Sequence, residues 1–192
     1  MSYAVEDWSR LHRITVDEYY RMAEVGLLSP KARVELIEGV IVDMAPIGEL
    51  HAVVVDRLAR VFFKIPEDKV IVRVQGPVRL NSYNEPEPDF AILKPHAQEY
   101  RRGHPSGTDT LLAVEVSDTT LRFDLRTKMP LYARHGVAEV WVADVNRGGI
   151  HVCRRRTDIG YSDIEFVEEP GRLPIAALEG VSVDLTGLFR FD

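Results

Sequence analysis

The sequence predicts one domain of the α/β class, mixed α+β, that extends over residues 1–192. Short apolar runs such as 90–93 and 111–114 are too brief for independent helices and contain residues typical of buried strands. Elsewhere, apolar residues recur at helical spacing. With 192 residues and 45% hydrophobic content, the chain can bury one core without disulfides, and its single cysteine excludes an intrachain disulfide.

The first third of the chain predicts two helices and a hairpin. Residues 15–18 match a capping box, and Gly26 is placed to end the helix that begins there. Residues 34–44 alternate around the pair 38–39, which predicts a β-hairpin. A second helix is predicted over 49–64, because it carries apolar residues at helical spacing: Val53, Val54, Leu58, Val61 and Phe62.

The rest of the chain predicts mainly strands. They are expected over residues 70–80, 87–93, 110–116, 139–144 and 150–154. Residues 94–108 are too polar and too rich in Gly and Pro for the core. A further helix carries Lys128, and Pro130 either lies in its first turn or kinks it, because a deeper proline removes a backbone hydrogen bond. Residues 170–189 are expected to form a final strand and a short helix.

Two carboxylates and a lysine follow one another in an order that is compatible with a catalytic metal site. Asp89 directly precedes the apolar run 90–93, Glu115 closes the next run, and Lys128 follows thirteen residues later. Acids on neighbouring strands can share one hard divalent cation, and a nearby ammonium group can stabilise charge on a phosphate. Acids at strand ends are also common as helix caps and as groups that solvate loops. The three residues alone do not decide between these two explanations.

Several motifs follow one another in a characteristic order: VELIEGVIVDM (34–44), His51 at a helix start, EPEPDF (85–90), EVSD (115–118), D-x-x-x-K (124–128) and YARHGVAEVWVAD (132–144). In this order they resemble the Uma-type endonuclease family, which began as a domain of unknown function. The family belongs to the PD-(D/E)XK nuclease superfamily. The resemblance covers about residues 15–152 and implies a restriction-endonuclease-like core, with a mixed central sheet flanked by helices.

The same resemblance implies a metal site for Mg²⁺ or Mn²⁺. Its ligands would be Asp89, Glu115, the backbone carbonyl of Val116 and Glu35. Glu35 would be an additional acid that holds a second ion or orients water. In the usual E-x-K motif the lysine stands two residues after the acid, where this chain has Ser117. We therefore expect Lys128 to replace the lysine of this motif, because the helix that follows would return Lys128 to the acids.

Other polar residues are weaker candidates. His51 would donate to the site or act as a base, or it would only cap its helix. Gln75 interrupts an apolar strand, where it would contact the metal-bound water or Lys128, or would only pair with the backbone. Tyr132 is assigned to packing and Trp141 to the core. Crowded carboxylates repel one another, so we expect raised pKa values within the acid cluster.

The net charge of −6 argues against tight nonspecific binding to nucleic acid, which phosphate neutralisation drives. A local basic strip over 122–135 remains compatible with such binding, and the arginines at 154–156 are expected at a solvated hairpin edge. Residues 1–13 contain no apolar stretch able to serve as a signal peptide, and no run is long enough to span a bilayer. We therefore expect a cytoplasmic protein without membrane contact.

The sequence thus predicts a metal-dependent endonuclease that hydrolyses phosphodiester bonds in nucleic acid, with DNA as the expected substrate. Two alternatives stay open. One is a non-catalytic binding or assembly protein that retains the nuclease-like fold. The other is a metal-dependent phosphohydrolase of small nucleotides, which fits the negative net charge better. A homodimer is also expected, because cutting both strands of a duplex favours two sites related by a two-fold axis.

Overall fold

The computed structural model describes residues 11–29 and 31–191. Its α-helices are α1 (Val16–Glu24), α2 (Glu49–Phe62), α3 (Leu121–Phe123) and α4 (Met129–Arg134), with a π-helical turn (Asp124–Lys128) between α3 and α4 and a short 3-10 helix at Gly107–Asp109. Its strands are β1 (Val34–Ile37), β2 (Val40–Asp43), β3 (Ile71–Val74), β4 (Phe90–Leu93), β5 (Thr110–Ser117), β6 (Glu139–Asp144), β7 (Gly149–Arg156), β8 (Tyr161–Glu168), β9 (Arg172–Pro174) and β10 (Ser182–Asp184).

Strands β3 to β8 form one six-stranded sheet in chain order. Strands β5 and β6 are parallel, and the other neighbours in this sheet are antiparallel. Strands β1 and β2 form a separate hairpin, and β9 pairs with β10. The prediction of a mixed central sheet flanked by helices is confirmed.

The sheet is covered on both faces, and the alternation of β5 assigns each side chain to a face. On one face, α2 packs against a cluster that includes Leu112, Val114 and Val116. On the other, α4 packs against a second cluster that includes Ala113. Because successive strand residues point to opposite faces, Glu115 lies on the α4 side. The sheet therefore directs this acid towards the helix that carries Lys128.

The capping box and the hairpin turn are both confirmed. The backbone N–H of Thr15 donates to Glu18 Oε2 at 2.8 Å, and the backbone N–H of Glu18 donates to Thr15 Oγ1 at 3.2 Å. In the hairpin, Glu38 and Gly39 have φ angles of 52° and 75°, as tight turns between two strands require. A Cβ atom at Gly39 would lie 2.6 Å from Cβ of Arg13, so this position also requires the absence of a side chain.

The helix around Lys128 runs without a break from α3 to α4 but changes type in its middle. Pro130 lies inside this continuous helix and not in its first turn, at the second residue of α4 and directly after the π-helical turn. A proline at this point removes a backbone donor where the hydrogen-bond pattern already changes. Asp124 and Lys128 both belong to the π-helical turn, and both are buried.

Several predicted elements differ from the structure. The strand predicted over 70–80 ends at Val74, because Gln75 has a left-handed φ of 45°. The strand predicted over 87–93 begins only at Phe90. The tail contains β9 and β10 instead of a strand and a short helix. Strand β8 was not predicted, because this edge strand is largely exposed and lacks a continuous apolar run.

Within the described ranges, no helix is both long enough and apolar enough to cross a membrane. The expectation about a signal peptide rests mostly on residues 1–10, which lie outside those ranges.

Cys153 provides a test of the core on the α4 side. Its side chain is fully buried on β7, and burial raises the pKa of its thiol to about 12. The thiolate is the reactive form, so the native protein should not react with iodoacetamide at neutral pH. Unfolding in guanidinium should release the chain's one reactive thiol, which mass spectrometry would detect. Native labelling at the rate of free cysteine would contradict the packing of β7.

Candidate functional site

A cavity of about 390 Å³ lies among the β1–β2 hairpin, the first turn of α2, the end of β5 and the π-helical turn. Its lining contains six of the seven residues that the sequence singled out: Glu35, His51, Asp89, Glu115, Val116 and Lys128. Gln75 lies outside this lining and reaches the site only through Asp89. The fold therefore brings the candidate residues to one place.

Asp89 and Glu115 face one another across two neighbouring strands. Because β4 and β5 pair antiparallel with Phe90 opposite Val114, Asp89 lies opposite Glu115. The backbone N–H of Val116 donates to Asp89 Oδ2 at 2.8 Å, which fixes the aspartate against the end of β5.

Two further side chains hold the other oxygen of Asp89. His51 Nε2 lies 3.0 Å from Asp89 Oδ1, and the amide nitrogen of Gln75 donates to the same oxygen at 3.2 Å. Gln75 is exposed at the end of β3 and does not contact Lys128, so the expectation of a buried amide inside a strand is wrong. Its left-handed backbone turns its side chain towards Asp89.

Lys128 lies between two acids and is almost completely buried, with 3% of its surface exposed. Its Nζ atom is 2.8 Å from Glu115 Oε1 and 3.1 Å from Glu35 Oε2. The backbone N–H of Glu87 also donates to Glu35 Oε2, at 3.1 Å. Asp124 does not form a surface ion pair with Lys128; it instead accepts hydrogen bonds from the hydroxyls of Ser117 and Thr120 at 2.7 and 2.6 Å.

Burial dominates the electrostatics of this cluster. It raises the pKa of Glu115 well above its ordinary value, and the Lys128 ammonium opposes that shift. Burial likewise raises the pKa of Asp124. For Lys128, burial lowers the pKa, but Glu115 and Glu35 outweigh burial and raise it, so the lysine is charged at neutral pH. The expected rise is present at Glu115 and Asp124, where burial contributes more to it than repulsion between the acids does.

Tyr132 is a contact that the sequence did not predict. Its hydroxyl donates to Glu115 Oε1 at 2.6 Å, the same oxygen that Lys128 contacts. The ring itself is packed in the core on the α4 side, as predicted. The sequence signal that could have predicted this contact is the position of Tyr132 four residues after Lys128, because side chains at this spacing share one face of a helix. Among the observed hydrogen bonds of the described residues, none reaches the other oxygen of Glu115.

The basic strip differs from its prediction. Lys128 is buried inside the protein, and Arg134 donates to Glu38 Oε1 at 2.7 Å. Of the three arginines at 154–156, Arg154 donates to the buried carboxylate of Glu139 at 2.8 Å. Arg154 therefore belongs to a structural ion pair, and the three arginines do not form a uniformly solvated edge.

The donor set is compatible with a hard divalent cation. Asp89, directly before β4, and Glu115, on β5, both direct carboxylate oxygens to this cavity. The described ranges contain no group of three or more His, Cys, Asp or Glu side chains placed to hold a metal. Mg²⁺ does not require one, since it usually keeps several waters and binds one or two carboxylates together with substrate phosphates.

The mixed sheet, the helices on its two faces and the acids at the junction of β4 and β5 define a restriction-endonuclease-like domain. The chain belongs to the Uma2 family, described as "Putative restriction endonuclease", whose sequence model matches residues 16–186. Among solved structures, it is similar to "a putative nuclease belonging to DUF820" from Anabaena variabilis ATCC 29413. The TM-score is 0.68 at 16% identity, and the match covers 92% of this chain and 97% of that chain. No curated protein matches the chain.

Replacing Lys128 tests its place between the two acids. Lys128→Met should lower the free energy of unfolding by about 3–5 kcal/mol, because Glu35 and Glu115 would stay buried without their cation. Chemical denaturation measures this change. Lys69→Met, at an exposed lysine before β3, is the matched control and should change stability by no more than about 0.5 kcal/mol. Equal stability of the two variants would contradict the neutralising role of Lys128.

Proposed function

We propose that this protein is a metal-dependent endonuclease that hydrolyses phosphodiester bonds in DNA. The observation that supports this most directly is the distance of 2.8 Å between Lys128 Nζ and Glu115 Oε1. The lysine belongs to a helix and not to β5, yet its ammonium group reaches the acid pair. The E-x-K motif would otherwise supply this arrangement, in which each of two neighbouring strands brings an acid and a lysine contacts one of the two acids.

In this proposal, a metal ion would be held by Asp89, Glu115 and the backbone carbonyl of Val116, with Glu35 as the additional acid. When bound, Mg²⁺ or Mn²⁺ would lower the pKa of a coordinated water and polarise the scissile phosphate.

The protein's own groups would orient the reaction. Lys128 is charged at neutral pH, so its ammonium group would stabilise the negative charge that develops on the phosphate or would position the attacking water. His51 and Gln75 would fix the orientation of Asp89, because both contact its Oδ1 atom. Glu115 would present its second oxygen to the cavity, because Lys128 and Tyr132 both occupy its first.

Asp89→Asn and Glu115→Gln test the acid pair with little change of volume. Each should abolish cleavage of supercoiled plasmid in Mg²⁺, because each removes one charged ligand. Each should also weaken Mg²⁺ binding, measured by calorimetry, by more than the roughly 10–100-fold that the loss of an outer-shell partner costs. Asp158→Asn, at an exposed turn between β7 and β8, is the matched control and should leave both properties unchanged. Normal Mg²⁺ affinity in both acid variants would show that the metal binds outside this cavity.

The choice of substrate separates the proposal from its two alternatives. The wild type should cleave plasmid DNA in Mg²⁺ or Mn²⁺ and stop when the metal is chelated. Hydrolysis of mononucleotides without cleavage of plasmid would instead support a small-nucleotide phosphohydrolase. Absence of both metal binding and cleavage would support a non-catalytic protein. Plasmid and RNA tested side by side would decide whether DNA is the preferred polymer.

A further inference from the structure

The cavity is lined by far more acidic than basic side chains. Seven acids line it: Glu35, Asp43, Glu87, Asp89, Glu115, Asp118 and Asp124. The charged bases in the same lining are Arg33 and Lys128. Lys128 is already within 3.1 Å of two carboxylates, so its charge is largely neutralised. A polyanion that approaches this cavity is therefore repelled, unless other positive groups compensate the acids.

Arg33 lies at a position where its guanidinium group can compensate the charge of these acids. The backbone N–H of Met44 donates to the carbonyl of Arg33 at 2.9 Å, which extends the β1–β2 ladder by one residue pair. Because side chains alternate along a strand, Arg33 and Glu35 point to the same face of the hairpin. That face is the wall of the cavity, as the presence of Val42 and Met44 in the lining confirms.

The two residues lie at different depths in this wall. Glu35 is buried against Lys128, whereas Arg33 is exposed. One guanidinium nitrogen of Arg33 donates to the carbonyl of Ala45 at 2.9 Å, which fixes the side chain over the hairpin. Within the described part of the chain, no carboxylate lies within ion-pair distance of Arg33. Its remaining N–H groups are therefore available to a ligand, and its charge acts at longer range on the carboxyl group of Glu87.

We propose that Arg33 binds a phosphodiester group of the substrate at the mouth of the cavity, an inference that rests on the proposed nuclease function. A guanidinium group suits this task because its planar N–H donors match two phosphate oxygens and because it is always charged. The contact with Ala45 orients the group in advance, which reduces the entropy lost on binding. Arg33 is a substrate-binding residue and not a metal ligand.

Binding of a fluorescein-labelled DNA duplex, measured by anisotropy at several salt concentrations with Ca²⁺ replacing Mg²⁺, tests this role. Arg33→Gln should raise the Kd about tenfold, since a hydrogen bond to a charged partner is lost. The magnitude of the slope of log Kd against the logarithm of the salt concentration should fall by about 0.9, because one phosphate contact disappears. In plasmid cleavage, KM should rise more than kcat falls, and Mg²⁺ affinity should stay at the wild-type value.

Two further variants separate charge from structure. Arg33→Lys keeps the charge and should retain the wild-type salt slope, although it loses the paired hydrogen bonds and part of the affinity. Arg172→Gln, at an exposed arginine on β9 outside this cavity, should bind DNA like the wild type. A lower melting temperature of Arg33→Gln with unchanged Kd and salt slope would show that Arg33 only braces Ala45, and would overturn the inference.

The wild type distinguishes the failure of this inference from the failure of the proposed function. If the wild type neither binds nor cleaves DNA, the nuclease proposal and this inference both fall. If the wild type binds and cleaves DNA and Arg33→Gln does so equally well, the nuclease proposal stands and only the role of Arg33 is overturned.

Discussion

The buried ammonium group of Lys128 joins parts of the chain that share no strand pairing. It contacts Glu35 from the β1–β2 hairpin and Glu115 from the central sheet, while its own backbone belongs to the π-helical turn. Taking three charged groups out of water costs several kcal/mol for each ion, and their mutual attraction offsets this only when all three are in place. The lysine therefore helps to hold the hairpin over the end of β5, together with the backbone bridge between Leu36 and Glu85.

The same contacts determine how the acids face the cavity. Asp89 receives three donors, from Val116, His51 and Gln75, which leave it little freedom to rotate. Glu115 receives two donors on a single oxygen, so its orientation is fixed as well. A site whose ligands are held by packed neighbours has little reorganisation left to undergo when a ligand binds. In the proposed enzyme, these packed acids would carry the chemistry, and the exposed groups at the mouth of the cavity would contact the substrate.

The sequence predicted the meeting of Asp89 and Glu115 because period-two alternation and neighbouring apolar runs are local signals. The position of Lys128 was expected from the resemblance to the family. How it reaches Glu115 was not predictable, since nothing in residues 124–128 signals a π-helical turn. Strand β8 was missed because an exposed edge strand needs no apolar run. The contacts of Tyr132 and Arg33 were missed because they depend on which elements pack together in three dimensions.

A chain with a net charge of −6 is compatible with a nucleic-acid substrate if positive groups compensate its acids at the point where the phosphate binds. At physiological ionic strength, charges interact over only about 8 Å in solvent, so a phosphate group responds to the cavity and not to the whole chain. Within the cavity, Lys128 offsets part of the charge of two acids and leaves most of the rest uncompensated. A bound divalent cation would add positive charge at the acid pair, and Arg33 would add it at the mouth. In the proposed enzyme, these two groups make an acidic cavity accessible to a polyanion. Affinity for DNA then requires the metal. The same positive charge of the metal would therefore serve both substrate binding and the hydrolysis reaction.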